Sequence, residues 1–172
     1  MLGSSSLVGS SLSLRPAAPA DEAFLARLHR STRPDLEQLP LPPPLLDALM
    51  AQQYQALIQG AGHAYAGAMH CVIERAGERA GALIVDIGAN EVRLVYLALL
   101  PVLRCQGYGA EILRGLQQAA AQARAPLVAT VWHTNPRARS LYLRMGFVVD
   151  AAEPGVERLV WYPEARPMVM LP

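Results

Sequence analysis

One junction limits what this chain can fold into. Residues 91–101 read "EVRLVYLALLP", a strand too apolar to leave either face open, and it ends at a proline. Two glycines follow in "VLRCQGYG". Then "AEILRGLQQAAAQAR" aligns Ile112, Leu113, Leu116 and Ala120 on one helical stripe. Pro126 next opens a second strand, "LVATVWH". A covered strand, a helix and another strand in succession call for a sheet with helices packed on its faces.

The flanking segments fit that frame. "LSLRPA" (12–17) is a short strand, and "PADEAFLARLHRST" starts a helix with Asp21 at its N-cap and Phe24, Leu25 and Leu28 on one face. Residues 33–44 form a proline-broken connection. A second amphipathic helix over about 45–59 is expected to stop at Gly60 and Gly62. From Ala68 the period changes to a hairpin, "AMHCVIER" and "AGALIVD". After the second strand, "NPRARSLYLRMGF" reads as a capped helix, with Asn135 at N-cap, Pro136 at N1 and Gly146 at C′. "FVVDA" and "ERLVWYP" are two short strands that close the domain across "AEPGV". The expected order is β-α-α-β-β-β-α-β-α-β-β, an α/β chain of the α+β kind with one mixed sheet. Residues 1–11 are expected to be a flexible lead-in and 12–172 a single domain.

Composition removes several function classes. All fifteen basic residues are arginine, so no lysine can act as a Schiff-base nucleophile or complete a phosphate loop ending in Gly-Lys. A formal charge of +1 gives no reason to expect nucleic acid or an anionic membrane as partner. Cys71 and Cys105 are too few for a disulfide framework, and neither they nor the four histidines have metal-ligand spacing, so no metal is expected. The first twelve residues lack the features of a secretory signal, and no apolar run approaches the ~20 residues that span a bilayer. A cytoplasmic protein is the default expectation.

Glycines between a strand and a helix suit an anion. Several backbone N–H groups point into one concavity there, and the helix dipole adds positive charge. Gly107 and Gly109 would let the backbone approach a diphosphate closely, and Arg104 could fix the loop or meet the anion. The dinucleotide fingerprint G-x-G-x-x-G is not met, since Ile112 occupies the third position.

The stretch resembles the acetyl-CoA signature of the GNAT superfamily of N-acetyltransferases, [RQ]-x-x-G-x-[GA], through Arg104, Gly107 and Gly109. A second segment, "NPRARSLYLRMGF", resembles the family's N-x-x-A/S-x-x-x-Y-x-x-x-G-F piece through Asn135, Tyr142, Gly146 and Phe147. The resemblance covers roughly residues 12–162. It implies a GNAT-like fold with splayed central strands, 91–100 and 127–132, and acetyl-CoA as acyl donor.

The pantetheine arm would then pair with the backbone of Leu97, Ala98 and Leu99 like an added strand. The backbone from Gln106 through Gly107, Tyr108 and Gly109 to Ala110 would hold the pyrophosphate, and Asn135 would contact the arm as well as cap its helix. An amide near Leu97 would polarise the thioester carbonyl. Tyr142 would protonate the departing thiolate.

The base is where this chain departs from the family, which often carries a carboxylate near the position held here by Tyr96. His133, Glu91 and a water held through Tyr96 remain as alternatives. By strand alternation Glu91 shares a side with Arg93, Val95 and Leu97, about 20 Å from the reaction point.

Residues 33–65 would build the acceptor pocket for a small-molecule amine or amino-acid-like acceptor. A protein N-terminus or lysine, or a non-catalytic CoA-binding module, is the alternative. The apolar tail "MVMLP" is compatible with covering a core or with a homodimer's sheet edge.

Overall fold

A computed structural model describes residues 5–6 and 11–163. The strands are β1 (Ser5–Ser6), β2 (Leu12–Pro16), β3 (Ala68–Arg75), β4 (Glu78–Ile87), β5 (Val92–Leu99), β6 (Leu127–Trp132), β7 (Val148–Glu153) and β8 (Val156–Trp161). The helices are α1 (Glu22–Arg30), α2 (Pro34–Glu37), α3 (Pro43–Ala64), α4 (Tyr108–Ala123) and α5 (Pro136–Arg144). All eight strands form one sheet in the order β1-β2-β3-β4-β5-β6-β8-β7, antiparallel except where β5 meets β6. The expected element order is met. Two additions come from segments read as irregular: α2 within the proline-rich connection, and β1 within the lead-in, where Ser5 and Ser6 pair with Leu14 and Ser13.

Each face of the sheet has its own apolar core. On one, α4 lays Ile112, Leu113, Leu116 and Ala120 onto Leu83, Val85, Val92, Leu94, Leu127 and Ala129, and α5 adds Tyr142 beside Phe147. Each fully buried leucine or isoleucine there contributes about 2 kcal/mol. On the other, α1 packs Phe24 and Leu28 over Val72, Ala82 and Ala98.

Two boundary expectations are corrected. α3 continues through Gly60 and Gly62 to Ala64. Neither glycine has a positive φ, and a Cβ at either would touch nothing, so each is an exposed helix residue and not a stop. Asp21 precedes α1 but makes no side-chain cap to it. Its carboxylate, only 1% exposed, accepts from the Ala18 amide and pairs with Arg15 and Arg79 at 2.7 and 2.8 Å. Those bonds hold it well below the usual carboxylate range. By contrast α5 follows its capping signals: Asn135 accepts from the Ala138 amide at 3.1 Å, Pro136 opens the helix, and Gly146 has φ +85° after it.

Candidate functional site

β5 pairs with β6 over three residues only: Val92 with Leu127, Arg93 with Val128, and Leu94 with Ala129. Beyond Leu94 the strands part, while β5 stays paired to β4 up to Leu99. The cause is one extra residue. Ile84 faces Tyr96 and Val85 faces Leu94, so Val95 has no counterpart on β4 and forms a β-bulge.

The bulge reverses everything above it. Below, Val92 donates its N–H to Pro126 on the β6 side. Above, Leu100 donates to Ala80 of the β4 side, so by antiparallel alternation Ala98 and Tyr96 also bond toward β4. The backbone of Leu97 and Leu99 therefore points into the gap. Side chains change faces too: Leu97 and Leu99 join Val92 and Leu94 on the α4 side, while Tyr96 and Ala98 face α1. The simple alternation grouping Leu97 with Glu91, Arg93 and Val95 is corrected by this one residue.

Between the parted strands lies a cleft of about 280 Å³, lined by Leu94, Val95, Thr130 and Trp132 with Tyr65 and Arg93. Arg93 stacks on the Tyr65 ring at 4.2 Å and pairs with Asp86 and Glu91. Trp132 is 64% exposed. A second cavity, beneath α1 and α3 and lined in part by Tyr54, His70, Cys71 and Tyr96, measures about 20 Å³. That is room for a single water, whereas the cleft is large enough to admit a substrate.

The gap ends at the start of α4. Gly107 is its N-cap at φ +88°, and Cys105, exposed, has φ +62°. A reversal of backbone handedness just before a helix gathers successive N–H groups into an anion-sized concavity, and the first-turn amides of α4 have no acceptor within the helix. The concavity thus involves residues 105–110, including Gln106, Tyr108, Gly109 and Ala110.

The two glycines do different jobs. A side chain at Gly107 would meet nothing, but its φ strongly disfavours one. A Cβ on Gly109 would come 3.2 Å from Leu141 Cδ2, so this glycine lets α4 approach α5 and its bare side does not face an open cradle. Glu111, the first-turn carboxylate, accepts from the Ser11 amide. Arg75 lies 5.2 Å over the Tyr108 ring, which brings a cation beside the concavity; nothing in the sequence pattern singled it out.

The structure separates the remaining candidates. Arg104 fixes the loop: its Nε donates to the Leu99 carbonyl at 2.9 Å and its other nitrogens donate to Ser31 O and Oγ at 3.2 and 2.7 Å. Asn135 is exposed and capping. Tyr142 is 8% exposed, edge-on to Phe147 at 5.2 Å, and burial pushes its phenol up to about 12. His133 lies just past β6, 3.8 Å from Glu157, whose stronger partner is Arg139 of α5 at 2.6 Å. Glu157 pairs with Val131, whose side chain belongs to the α4 face, whereas Thr130 and Trp132 line the cleft. Glu91 is held between Arg93 and Arg158 at the closed end of β5, away from the gap. Of residues 33–65, Tyr65 reaches the cleft, while Tyr54 lines the small cavity. Among the described residues, no group of three or more His, Cys, Asp or Glu could hold a metal ion, and no helix is long and apolar enough to cross a membrane. The tail "MVMLP" lies outside the described residues.

Known proteins share this fold. Residues 66–149 match the family described as Acetyltransferase (GNAT) domain. The fold matches PaiA N-acetyltransferase from Thermoplasma acidophilum in complex with coenzyme A, with TM-score 0.68 and 15% identity over 89% of this chain and 99% of that one. An acetyltransferase from Thermus thermophilus gives TM-score 0.65 at 22% identity, covering 88% and 96%. The ribosomal-protein-S18-alanine N-acetyltransferase from Escherichia coli gives 0.62 at 14%, covering 93% and 99%. No curated protein sequence matches the chain. The match to a GNAT acetyltransferase domain thus covers residues 66–149, and the fold of the chain is GNAT-like.

Proposed function

We propose that this protein is an acetyl-CoA-dependent N-acetyltransferase that acetylates the primary amine of a small or amino-acid-like acceptor by direct attack. The observation that carries the reading is the gap above Leu94 and Ala129, edged by the backbone of Leu97 and Leu99 and ending on the amides of α4. That edge offers the Leu97 N–H, the Leu97 C=O and the Leu99 N–H; Arg104 occupies the Leu99 carbonyl. An extended amide-bearing arm can bond to such an edge as an added strand, and a diphosphate fits the concavity. The residues fit acetyl-CoA on both counts.

Within this reading the Leu97 N–H is placed to polarise the acyl carbonyl as negative charge develops on it. Tyr142, a phenol at neutral pH whose burial holds its proton further into the alkaline range, is the donor for the departing thiolate. The acceptor enters from the Tyr65, Thr130 and Trp132 side. A cleft of about 280 Å³ suits an amine with one side chain attached, whether free or as the first residue of a peptide. The protein-N-terminus alternative draws on one fold neighbour, named for ribosomal protein S18 alanine, and on the open Trp132 rim.

The test is CoA release across free amino acids, polyamines and peptides with unblocked N-termini. Turnover with free amines at kcat/KM equal to or above that for peptides supports the leading reading. Turnover with peptides alone supports the alternative. Acetyl-CoA binding without any turnover would leave a binding module.

A further inference from the structure

Trp132 is the bulkiest apolar side chain left open to solvent among the described residues. It is 64% exposed, and its indole has no ring partner, stacked cation or hydrogen bond among them. Single exposed apolar residues are ordinary, and Val102 or Ile87 need no ligand to explain them. Trp132 differs in its place, because it forms one wall of the cleft.

Strand register fixes that place. The last parallel pair is Leu94 with Ala129. Three residues further along each strand come Leu97 on β5 and Trp132 on β6, so the two stand opposite each other across the parted strands. The bulge at Val95 shortens the β5 count by at most one residue, about 3 Å. Ala129 and Val131 turn toward α4, which leaves Thr130 and Trp132 on the other side of the sheet. Trp132 is therefore level with the amide assigned to the acyl carbonyl, on the side from which the acceptor enters.

The remaining walls narrow the chemistry. Tyr65 is already covered on one face by the Arg93 guanidinium at 4.2 Å. That guanidinium is the one charged group among the described lining residues, and the carboxylates it pairs with, Asp86 and Glu91, do not line the cleft. A second ammonium on the acceptor would meet a cation there and no lining anion. An apolar group would meet Leu94, Val95 and a bare indole.

We infer that Trp132 determines acceptor specificity: its indole is the platform for one apolar side chain, best an aromatic one, carried next to the reacting amine. The inference deepens the transferase reading above and rests on it. Stacking removes apolar area of both partners from water and favours offset or edge-on ring geometry. It also fixes the direction from which the amine approaches the acyl carbon beside Leu97. A free amino acid and the first residue of a peptide present the same side chain to this wall.

The experiment measures kcat/KM with acetyl-CoA for phenylalanine, phenylalaninamide and a peptide beginning with phenylalanine, each against its glycine and lysine counterparts. Wild type, Trp132→Phe and Trp132→Ala are compared. In whichever set is turned over, wild type should favour the phenylalanine member over the glycine member by about 30-fold. Trp132→Phe should keep most of that ratio. Trp132→Ala should reduce it to under about threefold, chiefly through KM. A ratio near one in wild type, a preference for the lysine member, or a loss in Trp132→Ala that is equal for all three side chains overturns the proposal.

A second readout needs no turnover. In a Trp161→Phe background Trp132 is the sole tryptophan. Phenylalaninamide titrated in with CoA present should then quench or shift its emission, while glycinamide should not. Emission that phenylalaninamide leaves unchanged overturns the proposal. If Trp161→Phe does not fold, the difference between wild type and Trp132→Phe isolates the same signal. A protein that binds acetyl-CoA but acetylates none of these amines contradicts the transferase reading, and the emission titration still decides on the platform.

Discussion

The two halves of β5 are chemically alike and structurally opposite. Val92 and Leu94 are buried between two paired neighbours, β4 and β6. Leu97 and Leu99 are equally apolar but are paired on one side only. Hydrophobicity does not distinguish them; the bulge at Val95 does. A single unmatched residue turns a continuous sheet into a sheet with an edge in its interior, and an edge inside a fold is a place to bind an extended partner.

That contrast can be broken hardest at Gly81. A Cβ there would come 2.3 Å from the Ala98 carbonyl oxygen, against backbone that cannot yield, so Gly81→Ala pushes β4 away from the open half. We expect a loss of about 3 kcal/mol in urea unfolding, with acetyl-CoA binding abolished. Gly60→Ala, on exposed α3 with nothing nearby, should instead raise stability by about 0.5 kcal/mol.

Arg104→Ala comes next. It frees the Leu99 carbonyl and the α1 end, and should cost about 2 kcal/mol. Because the guanidinium is committed to those groups, acetyl-CoA affinity should fall less than about tenfold. A hundredfold fall would assign Arg104 to the diphosphate instead.

The glycine pair sharpens the picture further. Gly107→Ala forces a side chain to φ +88° and should cost about 1–2 kcal/mol along with cofactor affinity. Gly109→Ala asks only that the Leu141 methyl yield a few tenths of an ångström, and should cost under about 1 kcal/mol.

The smallest effect is alkaline. Tyr96 and Tyr142 each sit near 12 in the fold against an ordinary value of 10. Between those values the unfolded chain loses these protons and the native one keeps them, so stability falls as pH rises above about 10. Absorbance at 295 nm should show Tyr96 and Tyr142 ionising late, with Tyr54, also raised by burial, contributing to the delay.

Much of this was legible in the sequence where local chemistry governs. The α5 start and stop were written in Asn135, Pro136 and Gly146, and the α4 stripe in Ile112, Leu113, Leu116 and Ala120. The slot was legible only through a resemblance, because a bulge in an all-apolar strand leaves no trace in hydrophobic alternation. Arg104 was visible as a motif residue, but its target, Ser31, lies 73 residues away and is set by tertiary packing. Trp132 read as an ordinary strand residue for the same reason: what sets it apart is its place opposite Leu97 across the parted strands, and that belongs to the packed fold.

The most direct test follows backbone amide exchange at Leu97 and Leu99 by NMR, with and without acetyl-CoA. The structure predicts fast exchange in the free protein and strong protection on binding, together with the amides of Gly107 to Ala110. Amides already protected, or unchanged by saturating acetyl-CoA, would mean that the gap above Val95 is not a binding edge, and the transferase reading built on it would fall.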